Sequence, residues 1–288
     1  MSVAQSRPQT GRIGIWSMEL RFGDPAEIAE AAAELDDLGF GAIWVPGGIG
    51  GVVTGDLDRL LTATSRTTIA TGIINIWKHE PAEIAGWWKA LPADQQARVL
   101  LGIGVSHGPL IGEAWKKPIA ATRDWLEGMA AQGQPAETMC VAALGPKMLE
   151  LSRDRTAGAH PYLVTPEHTA TAREILGPGA LLAPEQGVIL ETDPAKAREL
   201  AVGALTHYAR LPNYVNNWLR LGFTQDEIDG LSDSLLDALF ATGMEKIVDR
   251  VNAHLAAGAD HVCLQVISSG GGAAAVRPAW RELAKALL

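Results

Sequence analysis

From Arg12 onward the chain alternates short, continuous apolar runs with amphipathic stretches. The runs at 12–18 (RIGIWSM), 41–46 (GAIWVP), 68–77 (TIATGIINIW) and 98–106 (RVLLGIGVS) predict strands. So do those at 138–144 (TMCVAAL), 160–165 (HPYLVT), 186–191 (QGVILE) and 261–267 (HVCLQVI). The spacing of Ile28, Ala31, Ala32 and Leu35 predicts a helix over 25–38. Asp24-Pro25 supplies its cap and first position, and Gly39 its stop. Further helices are predicted near 56–64, 81–90, 118–131, 146–155, 167–176 and 278–287, with a long helical region over 194–256.

Eight strands, each followed by helix, read as one α/β domain over residues 1–288. Unbroken apolar strands suit a parallel sheet covered on both faces. The count favours a closed (β/α)8 TIM barrel over an open doubly wound sheet. Residues 205–245 hold more helix than one crossover needs, and are read as a helical insertion at the barrel mouth before the last strand.

The formal charge of −9 argues against nucleic acid or an anionic membrane as the main partner. Cys140 and Cys263 both sit in apolar runs, which excludes a disulfide framework and suits a reducing, cytoplasmic setting. The opening MSVAQSRPQTGR has no apolar leader core, and no apolar stretch reaches membrane-spanning length, so a cytoplasmic protein is expected.

In a barrel, chemistry gathers at the carboxyl ends of the strands. Those ends are Trp16–Glu19, Pro46–Gly51, Gly72–His79, Gly104–Gly108, Ala143–Lys147, His160–Thr165 and Ser268–Gly272. Gly72 within an apolar strand marks either a bulge pressed against a flat ligand or a packing glycine. In Gly102-Ile-Gly-Val-Ser-His107-Gly108 the third glycine of a dinucleotide fingerprint is replaced by His107. Gly104 there suits a ligand lying on the backbone better than a Rossmann turn. No His-x-His pair supports a metal, and no Gly-x-Ser-x-Gly elbow supports a hydrolase. His207, His254 and His261 read as surface or satisfied core residues. The SSGGG at 268–272 reads equally as a phosphate loop or a linker. Of nine tryptophans, Trp16, Trp44 and Trp77 fall on strands and suggest a planar aromatic ligand; Trp87, Trp88, Trp125 and Trp280 fall on helices and suggest packing or subunit contacts.

As a set, several segments resemble the luciferase-like monooxygenase family, and within it the actinobacterial branch that depends on the deazaflavin coenzyme F420. They are RIGIWSM, DPAEIAEAAAELDDLGFGAIWVPGG, TGIINIW with HEPAEIA, LLGIGVSHG, ALGPKMLELSRDRTAGAHPYLVTPEHT, LAPEQGVILETDPAKARELA, LPNYVNNWLRLGF and HLAAGADHVCLQVI. The resemblance implies an oxidoreductase that moves a hydride between reduced F420 and a small organic substrate. An FMN-dependent monooxygenase and a non-catalytic flavin- or deazaflavin-binding protein are the alternatives. It implies a non-prolyl cis bond at Gly72–Ile73, with Gly72, Ile73 and Asn75 at the cofactor ring and Val105, Ser106 and His107 flanking it. Ala143, Leu144 and Gly145 would line the tail, with Lys147 or His160 near its phosphate. Trp16, Trp77 and the Asn213–Trp218 segment, including Tyr214 and Trp218, would shape the substrate pocket. One departure stands out. The family's Asp-His-like pair after the second strand is replaced by Pro46-Gly47-Gly48, leaving His107 or His79 as proton donor. A homodimer is implied, with Trp87 and Trp88 among the candidate contacts.

Overall fold

The computed structural model describes residues 6–48 and 51–288. Ile49 and Gly50, within the candidate segment Pro46–Gly51, lie outside the described residues. The strands are β1 (Ile13–Trp16), β2 (Ala42–Val45), β3 (Thr68–Thr71), β4 (Ile74–Asn75), β5 (Val99–Gly104) and β6 (Met139–Val141). They continue with β7 (Gly158–Ala159), β8 (Leu181–Leu182), β9 (Glu185–Ile189), β10 (Phe240–Thr242) and β11 (Val262–Val266). Every pairing among them is parallel. The hydrogen-bonded path runs β10-β9-β11-β1-β2-β3-β5-β6-β7-β8, with β4 beside β5. The last long strand therefore pairs with the first, and Ala183-Pro184 joins β8 to β9. The result is a single α/β domain whose curled parallel sheet resembles a (β/α)8 barrel, although the path itself stays open between β8 and β10.

The helices follow their sequence signals closely. Helix Pro25–Leu38 begins where Asp24 Oδ1 accepts the Ala26 and Glu27 N–H groups at 2.9 and 3.1 Å, and ends at Gly39 with φ +94°. It buries Ile28, Ala31, Ala32 and Leu35 against the sheet, and packs beside helices Thr54–Ala63 and Ala273–Leu287. At the amino ends of the strands, Asp36 accepts five hydrogen bonds, from the backbone of Ser65, Arg66 and Thr67 and from the hydroxyls of Ser65 and Thr67. These bonds outweigh desolvation and hold its carboxyl well below the usual range.

The lumen carries an unusual column. His261 Nδ1 donates to the Gly11 carbonyl, and its Nε2 accepts the Trp44 indole N–H at 3.1 Å. Trp44 in turn stacks on His160, with ring centroids 4.1 Å apart. Gly14 is required beneath it, because a Cβ there would lie 2.6 Å from the His261 ring.

Three sequence boundaries need correction. The sixth strand is Gly158–Ala159, not 160–165: Pro161 has no N–H to extend a ladder, so the chain leaves the sheet at His160. The helical run over 194–256 is broken by β10, which pairs with β9 through Phe240–Thr242. The last helix starts at Ala273 and carries Pro278 within its first two turns. The helices between residues 194 and 239 enclose their own apolar cluster around Leu205, Tyr214, Trp218 and Leu235. No described helix is long and apolar enough to cross a membrane.

Candidate active site

Between β3 and β4 the strand gains a residue. Ala70 pairs with Leu100 and Ile74 with Ile103, so Thr71, Gly72 and Ile73 face only Leu101 and Gly102. That is a bulge, and the Gly72–Ile73 bond within it is cis. Neighbouring glycines make room for it. A Cβ on Gly102 would lie 1.8 Å from the Thr71 carbonyl oxygen, and one on Gly47 would lie 2.6 Å from the Ile73 oxygen. One on Gly104 would lie 2.8 Å from the end of the Ile73 side chain. Gly47 and Gly104 thus seat Ile73 as a ledge between the second and fourth strand ends.

The ledge forms part of a cavity of about 360 Å³ at the carboxyl ends of the strands. Of the sequence candidates, the structure brings together Trp16, Gly72, Ile73, Val105, Ser106, His107, Ala143, Leu144, His160 and Tyr214. Met18, Pro46, Gly48, Gly104, Tyr162 and Asn213, which the sequence reading named within its strand-end and Asn213–Trp218 segments, join them, as do Ala142, His207 and Tyr208. None of these side chains is Lys, Arg, Asp or Glu. All three tyrosines of the chain meet here: the Tyr208 ring lies 5.0 Å from Tyr214 and 5.5 Å from Tyr162. Sequence reasoning missed Tyr208, named Tyr162 only within the strand end His160–Thr165, and read His207 as a surface or satisfied core residue.

The remaining candidates fall elsewhere. Asn75 is fully buried behind the bulge, its Oδ1 accepting the Trp77 backbone N–H. Trp77 braces the fourth strand end by donating its indole N–H to the Val105 carbonyl at 2.7 Å. His79 is buried beside Glu83 at the start of helix Pro81–Ala90, away from the cavity, so its place does not suit a proton donor there. Trp218 packs behind Tyr214 and donates to the Leu163 carbonyl. Gly145 caps helix Pro146–Arg155, whose first turn carries exposed Lys147; Arg220 Nη2 would lie 3.8 Å from a Cβ on Gly145. The Ser268–Gly272 loop does not line the cavity. Trp88 is buried within the chain, while Trp87 donates its indole N–H to Asp58.

His160 is not placed as a phosphate ligand. Its Nδ1 lies 2.7 Å from the Ala183 carbonyl, which can only accept, so Nδ1 carries the proton and Nε2 is a bare acceptor. Burial lowers its pKa to about 4, keeping the ring neutral. Its Nε2 and the Trp16 indole N–H both abut Gly72 and have no partner among the described residues. His107 hydrogen-bonds Asn213 through Nδ1 at 3.2 Å. Partial burial holds its pKa below the ordinary histidine value, with Asn213 opposing and nearby His207 reinforcing the shift. Below the tyrosines, Glu185 Oε2 accepts the Leu163 N–H while Oε1 has no partner among the described residues. Burial pushes its pKa up to about 8, so it is largely protonated at neutral pH.

Against known proteins, one family model matches part of the chain. Residues 3–131 match the luciferase-like monooxygenase family. That stretch is somewhat under half of the chain and contains β1 to β5, including the bulge. Solved structures extend the likeness in fold. An F420-dependent secondary alcohol dehydrogenase in complex with an F420-acetone adduct is 16% identical, covering 93% of this chain and 98% of its own, with a TM-score of 0.70. The coenzyme F420-dependent tetrahydromethanopterin reductase from Methanopyrus kandleri is 18% identical over 96% and 98%, with a TM-score of 0.68. The oxygenating constituent of 3,6-diketocamphane monooxygenase from Pseudomonas putida, in complex with FMN, is 12% identical over 96% and 97%, with a TM-score of 0.71. No curated protein matches in sequence. Over residues 3–131 the chain is thus similar in sequence to the luciferase-like monooxygenase family, and over nearly all of its length its fold resembles these solved structures. Deazaflavin- and FMN-dependent structures resemble it alike, so the narrower placement in an actinobacterial F420 branch does not follow.

Proposed function

We propose that this luciferase-like chain is an oxidoreductase that binds a flavin-type cofactor, FMN or coenzyme F420, in the cavity over the bulge and acts on a small organic substrate. The observation that carries this reading is the Ile73 ledge, seated by Gly47 and Gly104, for it gives a flat ring system a main-chain shelf that any side chain at those glycines would block. Gly72, Ile73, Val105, Ser106, Ala143 and Leu144 would hold the ring and the start of its tail. The cavity wall lacks a cation for a tail phosphate; Lys147 and Arg220, beyond the Leu144–Gly145 turn, would supply it. When bound, the cofactor supplies the redox chemistry as a hydride carrier or, for FMN, through oxygen. The chain's own part is to orient the reactants, exclude water and exchange protons.

His107 is the proposed proton-exchanging residue. It is a cavity-lining imidazole fixed through Nδ1 by Asn213, with Nε2 unpartnered among the described residues. His107→Ala is expected to reduce turnover far more than cofactor affinity; equal loss of both would make it a binding residue only.

Between the cofactors, two observations favour FMN and monooxygenation. The matched family is a monooxygenase family, and Pro46-Gly47-Gly48 offers no titratable group where the deazaflavin branch is expected to have one. F420 is the second reading, supported by the likeness to the F420-dependent structures. Titration of the purified chain with each cofactor, followed by absorbance and fluorescence, tests both. Tight binding of FMN alone is expected. Binding of F420 alone would establish the second reading, and binding of neither would sink the proposal.

A further inference from the structure

The cavity wall holds a chemical bias that the cofactor reading does not use. Its described side chains carry no formal charge of their own beyond what histidine could acquire. Burial raises the pKa of all three phenols and lowers that of His107 and His160, so these five groups favour their neutral forms around pH 7. A charged guest would be stripped of water with no countercharge to meet it, at a cost of several kcal/mol.

Among the groups of this wall that have no hydrogen-bond partner among the described residues, two lie side by side at the tyrosine end. The Tyr208 hydroxyl donates to Tyr162, whose hydroxyl donates to Gln265 Oε1 at 2.8 Å, so that pair is satisfied. The Tyr214 hydroxyl has no partner among the described residues and is available as a donor. His107 Nδ1 is engaged by the Asn213 oxygen and so carries the ring proton, leaving Nε2 as an acceptor. The two rings are neighbours, with centroids 5.5 Å apart. A donor beside an acceptor complements a hydroxyl group, which accepts one hydrogen bond and gives another. A ketone meets only the donor, and a carboxylate or ammonium meets neither pair without a buried charge.

We propose that the substrate site is selective for an uncharged, hydroxyl-bearing organic molecule, its oxygen held between Tyr214 and His107 and its carbon body resting on the Tyr208 and Tyr162 rings. This rests on the reading of the cavity as the substrate site of a flavin-type oxidoreductase, and names the class of molecule that site takes.

The test uses the full chain, with and without saturating cofactor, and four probes of one shape: cyclohexanol, cyclohexanone, cyclohexanecarboxylate and cyclohexylammonium. Ligand-observed NMR reads their dissociation constants. Cyclohexanol is expected to bind severalfold more tightly than the ketone and at least tenfold more tightly than either ion. Tyr214→Phe keeps the ring and removes the donor, and is expected to weaken cyclohexanol about five- to tenfold while leaving cofactor affinity unchanged. Asn213 is exposed at the rim, so Asn213→Lys adds a cation there while releasing His107 Nδ1, and is expected to raise carboxylate affinity and lower that of cyclohexanol. Equal binding of an ion and the alcohol, or no effect of Tyr214→Phe, would overturn the proposal. Failure of both cofactors to bind would sink the parent reading, whereas a flat probe series beside a tightly bound cofactor would sink this one alone.

Discussion

Two glycines two residues apart on β5 separate the stability of the sheet from the shape of the site. Gly102 and Gly104 both lie under the bulge, yet an added methyl meets different atoms at each. At Gly102 it would stand 1.8 Å from the Thr71 main-chain oxygen, which also lies next to the strand crossing made by the Thr71 hydroxyl and the Gly102 carbonyl. No rotamer relieves that overlap; the end of β3 must move, and Gly102→Ala is expected to cost about 3 kcal/mol or more. At Gly104 the methyl would stand 2.8 Å from Ile73 Cγ1 and Cδ1. Ordinary carbon contacts lie near 3.5–4.0 Å, so Ile73 must withdraw by about 1 Å, and the open space before it is the cavity. The expected stability loss is about 1 kcal/mol, but the displaced side chain enters the volume assigned to the cofactor ring. Urea unfolding and cofactor titration of both variants test this. Gly104→Ala should keep most of the wild-type midpoint and lose at least tenfold in cofactor affinity, whereas Gly102→Ala should lose the midpoint itself. A Gly104→Ala protein that binds cofactor like wild type would refute the ledge as the cofactor's seat.

Other measurements follow from the buried titrating groups. His160, His254 and His261 are held neutral, with values lowered to about 4, 3 and 4 chiefly by burial. Their unfolded forms bind protons first, so each contributes stability present above about pH 6.5 and lost as pH falls toward 4, on the order of 3 kcal/mol apiece. A steep drop in the urea midpoint between pH 6.5 and 4.5 is expected, and His254→Gln should make it shallower. Glu185 acts in the opposite sense: its pKa raised to about 8 means that stability declines as pH climbs from the ordinary carboxyl range through 8. Glu185→Gln keeps an acceptor for the Leu163 N–H and should raise the melting temperature at pH 8.5 but not at pH 5. Asp36→Ala should lower stability by about 3 kcal/mol, through five lost hydrogen bonds, with cofactor affinity unchanged because it lies at the far end of the strands.

The helix boundaries were legible because their signals are local. Asp24-Pro25 and Gly39 do in the fold what their chemistry predicts from the sequence. The strand ends that build the ledge were legible from glycines set in apolar runs, and ten of the candidate residues do face one cavity. What escaped depends on distance in sequence. Tyr162 and Tyr208 meet across 46 residues, and nothing in either segment marks the partner. Asn75 and Trp77 were read as facing the site because they belong to the same apolar run as Gly72. The extra residue in the bulge instead turns Asn75 behind the ledge and leaves Trp77 bracing Val105. His160 carried a phosphate assignment from the family resemblance. The Ala183 carbonyl, 23 residues on, fixes its tautomer, and burial keeps it neutral.

The same burial that shapes the lumen also determines what the mouth can hold. Gly11, His261, Trp44 and His160 form a continuous series of contacts from the amino end of the strands to the cavity floor; each imidazole in it is kept neutral by burial, with its Nδ1 proton fixed by a carbonyl. Charging His160 would place a cation beneath Gly72 with no carboxylate in reach, since Glu185, the buried acid of this region, is itself largely protonated. The floor is therefore a rigid, uncharged surface, and the tyrosines above it extend that neutrality to the rim. Any charge that a bound cofactor brings must lie away from this floor, toward Lys147 and Arg220, with its ring on the ledge. A cation added beside that turn, as in Leu144→Arg, should then attract a phosphate tail and tighten FMN binding in a salt-dependent way. An affinity that does not respond to salt, or is unchanged, would show that the tail does not follow the Leu144–Gly145 turn.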